Sequence, residues 1–138
     1  ALGNSQLKKI DFIIKKRKSI YEYYLNEFKN FKRIVNIVLP EINTKPSYHL
    51  VIAIINFKDL KIDKEKFLKI LNQKKIFCQF HYIPNYKFKN FKQNHSLKGS
   101  EMYYKTGISL PIHLKLKKSD IKYVIESIKN TIIKWKKN

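Results

Sequence analysis

His81 and Tyr82 are the side chains best placed to do chemistry in this sequence. They stand together in Gln79-Phe80-His81-Tyr82-Ile83-Pro84, at the end of an apolar run that reads as a strand and is stopped by proline. Two hydrogen-bonding rings at a sheet edge suit a pocket wall, where imidazole or phenol can donate to or accept from a ligand's polar groups. A plainer reading stays open beside it: His81 satisfied by a backbone carbonyl, and Tyr82, which alternates to the opposite face, in the core. The other histidines are scattered, with His49 opening a strand, His95 in a polar loop and His113 after the third strand. Four histidines so spread, with Cys78 the single cysteine, have no metal-ligand spacing. Cys78 lies in an apolar run, has no disulfide partner, and reads as a small core residue. The three glycines are isolated, so neither a Gly-rich phosphate loop nor a nucleophile elbow occurs.

These residues must be carried by secondary structure, and the apolar spacing indicates which. Leu7, Ile10, Ile14, Tyr21, Tyr24 and Phe28 recur at helical intervals and predict one long helix over about residues 4–30. At 1.5 Å per residue it would run roughly 40 Å, a length suited to a connector between domains. Residues 30–46 read as a linker holding Pro40 and Pro46. Residues 48–57 predict a strand buried on both faces, with Leu50, Ile52 and Ile54 on one and Val51, Ala53 and Ile55 on the other. Asp63 can cap a short helix over 63–72, and 76–82 predicts the next strand. Residues 85–100 read as an exposed loop, Tyr103 and Tyr104 as a helical turn, and 107–110 as a third short strand before Pro111. Ile121, Val124, Ile125, Ile128, Ile132 and Trp135 mark a terminal amphipathic helix. The fold class expected is a small α/β (α+β) layer, a short and mostly antiparallel sheet covered by helices.

At 138 residues the chain suffices for one domain burying roughly two-thirds of its unfolded surface. The sequence contains no apolar run of about 18 residues and no basic-then-apolar leader, so a cytoplasmic protein without a membrane partner is expected. The formal charge of +20 would ordinarily direct attention to phosphate-bearing partners. Yet of the 30 basic residues only Arg17 and Arg33 are arginine, and the lysines are spread along the whole chain. Bidentate readout of bases has little material here, so a lysine-rich nucleic-acid-binding module is the alternative and not the first reading.

Three blocks of the sequence, 1–24, 47–84 and 101–129, resemble the C-terminal part of the DegT/DnrJ/EryC1/StrS family of pyridoxal-phosphate sugar aminotransferases. The first block contributes Ala1-Leu2-Gly3, Gln6-Leu7, Arg17 and Tyr23 or Tyr24. The second contributes Ser47-Tyr48-His49-Leu50 and His81-Tyr82-Ile83-Pro84, and the third Glu101, Tyr104, Ile108-Ser109-Leu110-Pro111, Asp120 and Val124-Ile125. The spelling His-Tyr-Ile-Pro is most similar to the branch that aminates a UDP-linked 4-keto-6-deoxy N-acetylhexosamine on the way to pseudaminic acid. Lys75 departs from the family's glycine between helix and strand, and would have to take the left-handed conformation or change the turn. Tyr86 stands where that branch carries a second histidine.

The resemblance implies a parent enzyme that uses pyridoxal phosphate, a nucleotide-sugar substrate and an amino donor, and forms a homodimer. It implies a division into residues 1–30, a connecting helix entered part-way along, and 31–138, a small α/β domain. His81, Tyr82 and Tyr86 would bind substrate as one wall of its cleft. Transamination needs a lysine amine to hold the cofactor and to move a proton between substrate and cofactor carbons. In the family that lysine belongs to the large domain, so no residue of this chain is expected to be catalytic or to hold cofactor or metal. The lysines here lie on polar faces or in loops, contexts that leave their pKa high. Without a large domain, Leu2, Leu7 and Ile10 are expected to be exposed on the first helix.

Overall fold

The computed structural model describes residues 2–80, 82–91 and 97–136. Helices α1 (Leu2–Leu7) and α2 (Ile10–Glu27) stand where a single long helix is expected. The chain turns at Lys8 and Lys9, where the Lys9 amide bonds to the Gln6 carbonyl at 3.0 Å, a tighter three-residue closure. The apolar spacing continues across this break, which is why periodicity alone does not reveal it. Of the residues from 3 to 19 none is buried, and Leu7 and Phe12 are 65% and 66% exposed, with Ile10 at 40%. The expected exposure of Leu7 and Ile10 therefore holds. The side chain of Leu2 lies outside the described residues.

From Ile20 onward α2 enters the core. Tyr24 is fully buried, and its hydroxyl donates to the Pro111 carbonyl at 3.1 Å, 87 positions away. Burial, then the nearby Cys78, raises its pKa above the ordinary phenol value, so it serves as a neutral donor. The segment read as a linker holds strand β1 (Val35–Ile37), with Val35 and Ile37 buried and Asn36 exposed. Three residues are too few for alternation to register, and β1 exists through pairing with β2 (Val51–Ile55). Strand β2 is buried on one face through Val51, Ala53 and Ile55, while Ile52 and Ile54 are half-buried. It is thus not sealed on both faces as its run of apolar residues suggests.

After the short α3 (Phe57–Leu60), helix α4 (Lys64–Gln73) starts where expected, with the Asp63 carboxylate accepting from the Lys66 amide at 2.6 Å. Its end is a Schellman closure: the Ile76 amide bonds to Leu71 and the Lys75 amide to Asn72, at 3.0 and 2.9 Å. Lys75 takes φ 60°, the left-handed conformation and so the first of the two alternatives that its departure from glycine leaves. Ile76 and Leu71 are both buried, the apolar pair that accompanies this motif.

The expected strand over 76–82 shrinks to β3 (Gln79–Phe80). Its partner β4 (Gly107–Leu110) is only four residues long, and pairing is limited to Gln79 with Ser109 and Phe80 with Ile108. Two short 3₁₀ turns, Asn85–Lys87 and Lys89–Phe91, and helix α5 (Lys98–Thr106) occupy much of the segment read as loop. Helix α5 passes directly into β4 at Gly107, where a Cβ would lie 2.8 Å from the Tyr103 carbonyl, so this junction requires glycine. The antiparallel order is β1-β2-β4-β3. The terminal helix α6 (Lys118–Lys136) packs on α2, α3 and α4, and its Ile125, Ile128 and Ile132 complete the core.

Replacing Lys75 with glycine removes the steric cost of a left-handed side chain. Lys75→Gly is expected to stabilise the chain by about 1 kcal/mol in urea unfolding. A loss of stability of that size would show that the lysine side chain contributes more than its backbone costs.

Candidate functional site

Residues 82–86 and the first turns of α5 line an open cleft of about 480 Å³. Tyr82, Pro84, Asn85 and Tyr86 form one wall, and Leu97, Gly99, Ser100, Tyr103 and Tyr104 the other. Proline shapes the first wall: Pro84 lies at φ −54° and ψ 135°, extended, and its carbonyl accepts from the Lys87 amide to start the 3₁₀ turn that presents Tyr86. Two of the three expected substrate-binding residues, Tyr82 and Tyr86, thus share one cleft. His81 lies outside the described residues.

The two tyrosines are held differently. Tyr82 is 93% exposed, so it is not a core residue, and its hydroxyl has no partner among the described residues. Tyr86 is tied down: its hydroxyl donates to Glu101 Oε1 at 2.8 Å, across from the middle of α5. Lys87 Nζ lies 2.9 Å from both oxygens of the same carboxylate. The bonds from Lys87 and Tyr86 hold Glu101 below the ordinary carboxylate range. The Tyr86 phenol is raised by desolvation and then by Glu101, and the Lys87 ammonium is raised chiefly by its bond to Glu101. At neutral pH the cluster is phenol, carboxylate and ammonium, with the Tyr86 proton already committed to Glu101. A ligand in the cleft meets a free hydroxyl at Tyr82 and an aromatic ring and oxygen lone pair at Tyr86.

Glu101 was not singled out as a site residue from the sequence, although a signal existed. It is the only acidic residue between Glu65 and Asp120, in a stretch dense with lysine. A lone carboxylate among cations is the natural place for a hydrogen-bonded cluster to form.

The remaining histidines are elsewhere. His49 is exposed, with its Nδ1 3.2 Å from the Ser47 hydroxyl. His113 lines an apolar cavity of about 440 Å³ with Phe77, Pro111 and Tyr123, at the other end of the β3–β4 pair. Cys78 is partly buried and its thiol is pushed up to about 12 by burial, which leaves it an unreactive packing residue. Among the described residues no group of three or more His, Cys, Asp or Glu side chains could hold a metal, and no helix is long and apolar enough to cross a membrane. Lysine–aromatic contacts join Lys66 to Trp135, Lys118 to Tyr23 and Lys129 to Phe31. These rings are covered by the protein's own cations.

Because Glu101 is held low, its grip on Tyr86 is present above the ordinary carboxylate range and is lost only as pH falls through the depressed value. An NMR titration of the chain should show the Tyr86 ring resonances constant from neutral pH down through that range, changing only below it. An inflection at or above the ordinary Glu value would contradict the arrangement. Glu101→Gln should displace the same resonances at neutral pH.

Residues 1–129 match the DegT/DnrJ/EryC1/StrS aminotransferase family. The UDP-4-amino-4,6-dideoxy-N-acetyl-beta-L-altrosamine transaminase of Campylobacter jejuni is 31% identical over 140 residues, covering 99% of this chain and 37% of that protein. The structure of Helicobacter pylori PseC, an aminotransferase involved in the biosynthesis of pseudoaminic acid, superposes with a TM-score of 0.84 at 30% identity. That match covers 96% of this chain and 36% of PseC. TlmJ, an aminotransferase from Streptoalloteichus hindustanus, shares the fold with a TM-score of 0.83 at 20% identity, over 96% of this chain and 35% of TlmJ. The chain thus spans little more than a third of the length of the relatives it matches.

Proposed function

This chain belongs to the DegT/DnrJ/EryC1/StrS aminotransferase family, and we propose that it is the C-terminal part of an enzyme that aminates a nucleotide-linked 4-keto-6-deoxy sugar. The observation that carries this reading is the joining of Tyr82, from the segment resembling the family's small-domain motif, and Tyr86, two residues beyond it, in one open cleft. The naming of a similar protein as a transaminase of a UDP-linked dideoxy sugar supports the substrate class.

In this reading the chain contributes binding and orientation. The Tyr82 hydroxyl is available for a sugar hydroxyl or amide, with His81 beside it in the sequence. Tyr86, locked by Glu101, presents a fixed surface and so costs little ordering on binding. Pyridoxal phosphate, when bound, supplies the electron sink for moving the amino group. Its site needs a lysine amine free to react, and this chain does not offer a fitting one among its described residues. The lysine whose pKa is lowered, by desolvation, is Lys64, and its ammonium donates to the Tyr104 carbonyl and faces two rings. The cofactor and its lysine are therefore assigned to a large domain, with residues 1–30 as the connector to it and 31–138 as the small domain. The outward-facing Leu7, Ile10 and Phe12 support this, being apolar surface that a large domain or a second subunit of a homodimer would cover.

Two measurements test the reading. In the full-length enzyme, His81→Ala and Tyr82→Phe should each lower kcat/KM for the keto-sugar nucleotide several-fold to roughly tenfold, with little change in unfolding midpoint. Unchanged efficiency with lowered stability would remove them from the site. In the 138-residue chain alone, borohydride reduction in the presence of pyridoxal phosphate should label no single lysine stoichiometrically. Stoichiometric labelling at one position would overturn the assignment of the catalytic lysine to a separate domain.

A further inference from the structure

We propose that Lys64 is a positioning residue for the tyrosine cleft: from the first turn of α4 it holds the last turn of α5, and through α5 it sets the Glu101 carboxylate that fixes Tyr86.

Lys64 sits where a cation is disfavoured. It is the first residue of α4, at the positive end of the helix dipole, and burial desolvates its amine. Something must offset this, and three groups converge on the ammonium. It donates to the Tyr104 carbonyl, one of the last four carbonyls of α5 and so without an acceptor role inside the helix. It lies 4.8 Å from the centroid of the Tyr104 ring and 5.3 Å from that of Phe80. Both distances are within cation–π range, where partial desolvation strengthens the attraction. A single ammonium thus ties together the start of α4, the end of α5 and the edge strand from which the His-Tyr-Ile-Pro segment departs.

The tie continues into the cleft. The Tyr104 ring also faces Lys87, whose Nζ is 5.2 Å from its centroid and 2.9 Å from Glu101. Tyr104 and Glu101 lie three residues apart on α5 and so on neighbouring positions of one helix face. Displacing the end of α5 would shift Glu101 against the 3₁₀ turn carrying Tyr86 and Lys87. Beside the direct α5-to-β4 junction and the packing of α5 on β2, Lys64 is a side chain that anchors that end from α4. Its importance for the sugar nucleotide rests on the aminotransferase reading, whereas its hold on Tyr86 does not.

The test uses the chain labelled with ¹³Cζ-tyrosine, with the Tyr86 resonance assigned by Tyr86→Phe. In the wild type Tyr86 should ionise above free tyrosine. Lys64→Met should move its ionisation down toward the ordinary value, and Lys64→Arg, which keeps a cation and a donor, should restore most of the wild-type position. A wild-type Tyr86 titration in Lys64→Met, with Glu101→Gln shifting it as a positive control, would overturn the proposal. Should Lys64→Met fail to fold, Tyr104→Leu, which removes the ring between the two lysines, is expected to lower the Tyr86 ionisation in the same way, and no shift would overturn it. In the full-length enzyme Lys64→Met should raise KM for the nucleotide sugar roughly three- to tenfold, with a smaller effect on kcat. A shifted Tyr86 with an unchanged KM would support Lys64 as a positioning residue while removing the cleft from the substrate site.

Discussion

Both walls of the tyrosine cleft are fastened to one strand, and the arrangement of the rest follows from how that strand is buried. β4 pairs with β2 on one side and β3 on the other, and all four of its residues are buried. Tyr82, Pro84, Asn85 and Tyr86, shortly after β3, are the first wall, and α5, the second wall, runs into β4 without a linker. Shifting β4 by one residue would turn Ile108 and Leu110 away from the helices and bring Ser109 to the core face, so its register is strongly held. Tyr24 secures the far end, through the Pro111 carbonyl immediately after the strand. The cleft is thus formed from loops and a helix end whose positions are inherited from the most deeply buried strand of the sheet.

The charge of this protein is managed locally. Ten carboxylates face thirty cations, and several carboxylates serve defined structural purposes. Asp63 caps α4, Asp120 accepts from the Lys117 amide before α6, Glu27 pairs with Lys129 at 2.8 Å, and Glu101 joins Tyr86 and Lys87. Exposed pairs of this kind add little stability singly. Their value here is geometric, since each joins segments far apart in the chain or ends a helix. Several lysines also lie over aromatic rings, Lys87 and Lys129 while paired with a carboxylate, and Lys64 and Lys87 share the Tyr104 ring.

A wall with a free phenol at Tyr82 and a locked phenol at Tyr86 is suited to holding and orienting a polar ligand. The chain spans little more than a third of the length of its aminotransferase relatives. Specificity toward a sugar needs donors and acceptors at fixed positions, and the Glu101 cluster fixes one of them before any ligand arrives.

Much of the fold was legible in the residues themselves. The Asp63 cap, the strand before Pro111, the apolar stripe of α6 and an antiparallel sheet under helices all follow from signals contained within a few neighbouring residues, as did the family resemblance through His81-Tyr82-Ile83-Pro84, which in turn marked Lys75 as either left-handed or a changed turn. Several features were not legible. β1 is three residues long and exists because β2 lies beside it. The expected strand over 76–82 is cut to two residues because β4 offers so few partners. The turn at Lys8 and Lys9 leaves the apolar spacing uninterrupted, and the choice of which face of β2 is sealed rests on where the helices pack. The Tyr86–Glu101, Lys64–Tyr104 and Tyr24–Pro111 contacts join residues 15, 40 and 87 positions apart. Sequence by itself determined the local elements, the caps and the motif, because those depend on backbone sterics and hydrogen bonds within one turn. Only the tertiary structure decided which tyrosine is free and which is held, because that depends on distances between segments that no local interaction sets.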